Sequence, residues 1–170
     1  MQWYNGKKTV ITGGSSGIGK AAAILLARWG AHVCICGRDA GRLEAALAEI
    51  RSHAASGEQK IIAIGADVSD RAQVNRMAVD AVKQLGGIDI LINSAGITWP
   101  GRFLDIQDNV WDSMMQVDYM GTVNVVRAFA PYFMKQRHGS IATISSVAGY
   151  MGVFGYAAYG PAKFAVAGFS

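Results

Sequence analysis

The sequence predicts an α/β protein built on a doubly wound parallel sheet, and three observations predict it. The apolar period switches repeatedly between strand-like runs and helix-like faces. Most strand candidates are apolar without polar alternation, as expected where helices cover both faces of a parallel sheet. A glycine-rich turn joins the first strand to the first helix.

Taken in order, Lys7–Thr12 reads as the first strand and Gly17–Gly30 as a helix. Ile18, Ala22, Leu25 and Leu26 are expected on its buried face, with Gly30 as its stop. Ala31–Cys36 is the second strand, and Ala40–Ser56 a helix ended by Gly57. Ile61–Gly65 is the third strand. Ser69 or Asp70 caps a helix running to about Leu85, and Ile88–Asn93 is the fourth strand. A loop over Ser94–Arg102 leads into a long helical stretch from Asp108 to Gln136, expected to be perturbed near Pro131. Ser140–Ser146 is the fifth strand, and a last helix starts near Tyr159. Right-handed crossovers and a switch point at the glycine turn give a Rossmann-type strand order of 3-2-1-4-5. The 170 residues read as a single dinucleotide-binding domain, with no repeat, low-complexity tract or interdomain linker. The fifth strand is expected to be a hydrophobic edge and Ser170 to fall inside a continuing helix. The reading is therefore of a domain whose C-terminal strands are missing.

Composition narrows the function classes. A net charge of +4 with scattered Lys and Arg, none in a run longer than Lys7-Lys8, does not point to nucleic acid. Cys34 and Cys36 alternate along one strand as buried small hydrophobes, which fits neither a disulfide framework nor a zinc site and suits a reducing cytoplasm. No signal peptide is expected, because Met1–Gly6 leads straight into the first strand. Residues 139–162 lack Asp, Glu, Lys and Arg, but five glycines and Pro161 break them into strand, loop and helix start. A transmembrane segment is therefore not expected.

The turn Thr12-Gly13-Gly14-Ser15-Ser16-Gly17-Ile18-Gly19 is placed to hold a pyrophosphate. Glycines let the backbone approach the anion, the helix start offers free N–H groups, and Ser15 and Ser16 add hydroxyls. The end of the second strand, where an NAD site carries an acid, holds Gly37 and then Arg38. Arg38, with Arg42 one turn on, favours the 2′-phosphate of NADP(H); Asp39 next door leaves an NAD ribose contact open. Tyr159 and Lys163 share a helix face, and Ser146 ends a strand where the carboxyl ends meet a cofactor. A tyrosine beside a lysine has a stabilised phenolate and can act as acid or base.

The loop, the Asn93-Ser94-Ala95-Gly96 segment, Ser146 and Tyr159-x-x-x-Lys163 together resemble the short-chain dehydrogenase/reductase family over nearly the whole chain. The resemblance implies that Tyr159 donates the proton to a carbonyl oxygen, Lys163 assists it and binds the nicotinamide ribose, and Ser146 holds the substrate oxygen. It implies that Asp67, with Val68 beside it, lies by the adenine, and that Asn93, Ala95 and Gly96 brace the sheet and the ribose. Ser94 stands where the family usually has a second asparagine. Asp118 stands where it usually has an asparagine that holds a relay water, so Asp118 is expected to join the proton relay. Within the family the chain is most similar to 3-ketodihydrosphingosine reductase-like members. That implies a long-chain lipid ketone or its alcohol as the small-molecule substrate, and a homodimer or homotetramer as the assembly. Met151, Val153 and Phe154 are expected to pack their own loop rather than touch substrate. The competing class is a non-catalytic dinucleotide-binding or sensing protein, which would have no use for Ser146, Tyr159 and Lys163 together.

Overall fold

In the computed structural model, which describes residues 2–170, five parallel strands lie in the order β3-β2-β1-β4-β5. They are β1 (Lys8–Thr12), β2 (His32–Gly37), β3 (Ile61–Gly65), β4 (Ile90–Asn93) and β5 (Ser140–Thr143). Register runs Thr12 beside Cys36 on one side and Asn93 on the other, so the functional strand ends finish level. The helices are α1 (Gly17–Arg28), α2 (Ala40–Ser52), α3 (Arg71–Leu85), α4 (Asp108–Met114), α5 (Gly121–Gln136) and α6 (Tyr159–Phe169).

Strand alternation feeds two separate cores. Ile11, Val33 and Ile35 point toward α1 and α2, where they meet Leu26, Leu43 and Ile50. Val10, Cys34, Cys36 and Leu91 point the other way, against Val74 and Met77 of α3 and Phe129 of α5. Each fully buried aliphatic or aromatic side chain contributes about 1.5–3 kcal/mol. The paired cysteines are free and buried, and burial pushes the Cys36 thiol up to about 12, so both stay neutral. A third, smaller cluster joins Ile106, Val110 and Met114 to Ala158 and Ala162, which seats α6 against α4.

Several expectations are corrected. The buried stripe of α1 is Gly19, Ala23, Leu26 and Ala27, not one through Ile18, Ala22 and Leu25. The helix approaches the sheet through small residues, and a Cβ on Gly19 would lie 2.5 Å from the Gly13 carbonyl oxygen. Ile18 is exposed, while Ala22 and Leu25 line an apolar groove with Trp29, Ile92 and Ala142. Helix α2 stops at Ser52 rather than Ser56. The long helix is perturbed by a π-turn over Met115–Met120, not at Pro131. Pro131 and Arg127 lie on the solvent side, where the bond that proline cannot make costs least because solvent can replace it. Strand β5 ends at Thr143, so Ser146 follows it in extended backbone. Met151 and Phe154 are exposed rather than packed in their loop, Phe154 by 93%, and Val153 lines a cleft with Ser146 and Tyr159. No described helix is long and apolar enough to cross a membrane.

Candidate active site

Two clefts open at the carboxyl ends of the strands. The first, of about 220 Å³, is lined by Gly13, Ser15 and Ser16 of the glycine turn, Gly37 at the end of β2, Arg38, Asp39 and Arg42 beyond it, and Val68, Ala95 and Gly96. Gly13 and Gly17 adopt φ of +67° and +53°, a region that glycine enters without strain. Gly13 also has to be small, because a Cβ there would lie 2.8 Å from the Ala95 backbone. Ser16 makes no side-chain cap on α1, which leaves the N–H groups of its first turn open toward the cleft. Those donors, two hydroxyls and a backbone cradle with no room for side chains fit a dinucleotide phosphate.

The β1–β4 junction is tied by Thr12, whose hydroxyl accepts from the N–H groups of Ser94 and Ala95 at 3.3 Å each. Asn93 is buried beside it, with neither side-chain polar atom hydrogen-bonded. Asp67 does not line the cleft wall but bounds it through Arg38, whose guanidinium lies 3.5 Å from its carboxylate. Burial works to raise the Asp67 pKa. Hydrogen bonds from the Ser69 N–H and hydroxyl, at 2.9 and 2.6 Å, and the Arg38 charge overcome it and hold the carboxyl below its ordinary value. Asp39 caps α2 by accepting from the Arg42 N–H at 2.9 Å, and its other oxygen lies 3.7 Å from the Arg42 guanidinium. Ile18 and Gly19 are not on the cleft wall: Ile18 faces solvent, and Gly19 packs beneath the turn.

The second cleft brings Ser146, Tyr156 and Tyr159 together with Thr98 and Val153. The Ser146 hydroxyl accepts from the Ala148 N–H at 3.2 Å, which leaves its own proton free to donate. Lys163 is buried on α6, its ammonium 5.6 Å from the Tyr159 ring centroid. It donates to the Ile144 carbonyl at 3.2 Å and lies 3.7 Å from Asp118. Ser145, the neighbour of Ser146, is a strut: its hydroxyl donates to the Lys163 carbonyl at 3.1 Å. Gly96 of the first cleft packs close to Lys163, because a Cβ there would sit 3.3 Å from the ammonium.

Sequence reasoning missed several contributors. Tyr156 stacks at a tilt on Tyr159, with centroids 5.3 Å apart. Asn124 donates to the Val68 carbonyl at 3.1 Å and fixes the loop after β3. The Ile144 carbonyl and the Ile97 N–H are backbone groups with no residue-type signal at all.

The profile of the family described as short chain dehydrogenase matches residues 7–170. A Danio rerio protein named 3-dehydrosphinganine reductase is 39% identical over 165 residues, covering 96% of this chain and 50% of that protein. Two solved structures superpose closely. An NAD+-bound xylitol dehydrogenase gives a TM-score of 0.92 at 27% identity, covering 98% of this chain and 63% of that one. An F189W actinorhodin polyketide ketoreductase with NADPH gives 0.88 at 27% identity, covering 96% of this chain and 62% of that one. The chain thus spans about half the length of the curated relatives it matches.

Proposed function

The chain belongs to the short-chain dehydrogenase family, and we propose that its site interconverts a ketone and a secondary alcohol using NADP(H). The single observation that carries this is the grouping of Ser146, Tyr159 and a buried Lys163 beside a cleft built for a dinucleotide. When bound, the nicotinamide supplies or accepts the hydride. Tyr159 passes its phenolic proton to the carbonyl oxygen, and the Lys163 ammonium stabilises the phenolate left behind. Ser146, with its hydroxyl proton free, donates to the same substrate oxygen and orients the carbonyl.

Several observations support the finer reading. Arg38 is half-exposed and turns toward the cleft, Arg42 stands beside it, and Asp39 is occupied as a helix cap. Two guanidiniums outnumber the one acid on the cleft wall, Asp39, one of whose oxygens is engaged as the α2 cap, and this balance suits a 2′-phosphate better than a bare ribose. For the substrate, the loops flanking the second cleft expose Phe103, Leu104, Val147, Met151 and Phe154, an apolar rim fitting a long-chain lipid ketone such as 3-ketodihydrosphingosine. The name of the Danio rerio relative points the same way. Residues 1–170 act in this reading as one oxidoreductase domain. It assembles as a homodimer or homotetramer through the partly exposed Met115, Met120 and Phe164 of the long helix and α6, and works in the cytoplasm, where the free thiols remain reduced.

The test is NADPH oxidation by the complete protein with steroid, sugar and long-chain keto compounds, alongside Tyr159→Phe. Turnover is expected with the long-chain ketone and is expected to fall by about 10²-fold or more in the variant. NADPH binding, followed by fluorescence, should stay within about twofold. Near-native turnover by Tyr159→Phe would remove the phenol from the chemistry.

A further inference from the structure

The second cleft, of about 370 Å³, carries more hydroxyls than the proposed reaction uses. Its wall presents Thr98, Ser146, Tyr156 and Tyr159, with Val147 and Val153 between them and no charged side chain. The carbonyl oxygen takes up Ser146 and Tyr159, which leaves Thr98 and Tyr156. Backbone geometry delivers these two from different loops. Tyr156 ends the turn Val153–Tyr156, closed by its N–H donating to the Val153 carbonyl at 3.2 Å. Gly155 holds the third place at φ +82°, a conformation that such turns reserve for glycine. The Tyr156 carbonyl then accepts from the Gly160 N–H at 2.7 Å, which ties the residue to the first turn of α6. Thr98 comes from the loop after β4. That loop is joined to the Tyr156 turn where the Gly101 N–H donates to the Gly155 carbonyl at 2.8 Å.

Packing accounts for a ring at position 156 but not for its hydroxyl. The half-buried Tyr156 ring lies 5.3 Å from the Tyr159 ring, centroid to centroid, at 53°. Phenylalanine would make the same contact. The side-chain hydrogen bonds around the site run through Asp118, Ser145, Ser146 and Lys163, and leave the Thr98 and Tyr156 hydroxyls uncommitted. A hydroxyl on this wall loses water when an apolar substrate enters, which costs free energy unless the substrate brings a partner for it. Because Tyr156 stands beside Tyr159, that partner belongs next to the reacting carbonyl rather than along a tail.

We propose that Thr98 and Tyr156 form a subsite for a hydrogen-bonding substituent, a hydroxyl or an amine, on the carbon beside the substrate carbonyl, and so select substituted ketones over plain ones. The inference rests on the reading of Ser146 and Tyr159 as the groups that hold the carbonyl oxygen. Each of the two further hydroxyls offers one donor and two acceptor positions, so together they serve either substituent. Holding it stops rotation about the bond to the carbonyl carbon and keeps that carbon in one orientation for the hydride. Val147 and Val153 supply apolar wall for the rest of the chain.

The test compares kcat/KM of the complete protein for 1-hydroxy-2-decanone and 2-decanone, which differ only in the substituent. The hydroxyketone is expected to be preferred about tenfold. Tyr156→Phe should lower that preference about fivefold and Thr98→Val about threefold. A purely structural role would slow both ketones together and leave the ratio alone. No preference in the native protein, or a preference that survives in either folded variant, overturns the proposal. A second measurement needs no turnover: calorimetric binding of 1,2-decanediol, 1-amino-2-decanol and 2-decanol to the NADPH complex, in which no hydride can pass. The diol, the amino alcohol or both should bind about tenfold tighter than 2-decanol, and the larger gain names the group that the subsite takes. Equal binding of all three overturns the proposal. If the binding gain is present but neither ketone is reduced, the proposed reaction fails while the subsite stands, so the two failures are distinct.

Discussion

The two halves of the sheet are built to different standards. In the half proposed to hold the nucleotide, β1 and β2 are buried on both faces, with α1 and α2 on one side and α3 on the other. In the half proposed to carry the chemistry, β5 is exposed along most of its length, with Ile141 44% accessible. On the α1 side of β4 and β5 lies an apolar groove, walled by Leu25, Trp29, Ile92 and Ala142, that no described element fills. The nucleotide cleft therefore rests on a closed double core. Ser146, Tyr159 and Lys163 rest on a short loop after β5 and on one helix seated against α4 by a small cluster. Binding and chemistry are expected to respond differently to perturbation.

Substitutions in the two halves sharpen or break this contrast. The largest effect on stability is expected from Ile35→Ala, which empties a fully buried site between β2 and the α1–α2 layer. Chemical denaturation should show a loss of about 2–5 kcal/mol. A loss below about 1 kcal/mol would mean that the nucleotide half is not the rigid partner. Gly19→Ala comes next. Its methyl would meet the Gly13 carbonyl, so the turn and α1 must separate, at a cost of about 1–3 kcal/mol and with weakened dinucleotide binding by calorimetry. Unaltered binding would argue that the turn does not contact the phosphates. Arg38→Ala is expected to spare stability, because its pair with Asp67 is exposed at the arginine end. Its effect is instead on cofactor choice, a fall of roughly 10–100-fold in NADPH affinity with little change for NADH. Equal losses for both would assign Arg38 to the adenine rather than to a 2′-phosphate. The smallest effect belongs to Ile141→Ala on the open strand, under about 1 kcal/mol in the same denaturation experiment. A loss comparable with Ile35→Ala would show β5 to be covered in solution and would erase the contrast.

The nucleotide half was also the more legible in the sequence. The Gly13–Gly19 turn combines residue type and spacing with a strand before it and a helix after it, and the strand order followed from that switch point. Ser15, Ser16, Arg38 and Arg42 line one cleft as read. In the catalytic half the four-residue spacing of Tyr159 and Lys163 set a shared helix face, and the fold brought Ser146 to the same cleft as Tyr159. The face of α1 was misread because apolarity points to Ile18 and Leu25, whereas contact with the sheet selects Gly19 and Ala23 for smallness. The π-turn was displaced onto Pro131 because proline is the visible breaker, while the extra residue of a π-turn carries no mark of its own.

What the sequence determined by itself was the alternation of elements, the phosphate turn and the residue types available for proton transfer. These depend on period, glycine and spacing, which are local properties. Tertiary structure alone decided that Asp118 is sealed from water against Lys163 and that Arg38 leans on Asp67. Burial and charge pairing depend on which distant segments close over a side chain, and no window of sequence contains both partners.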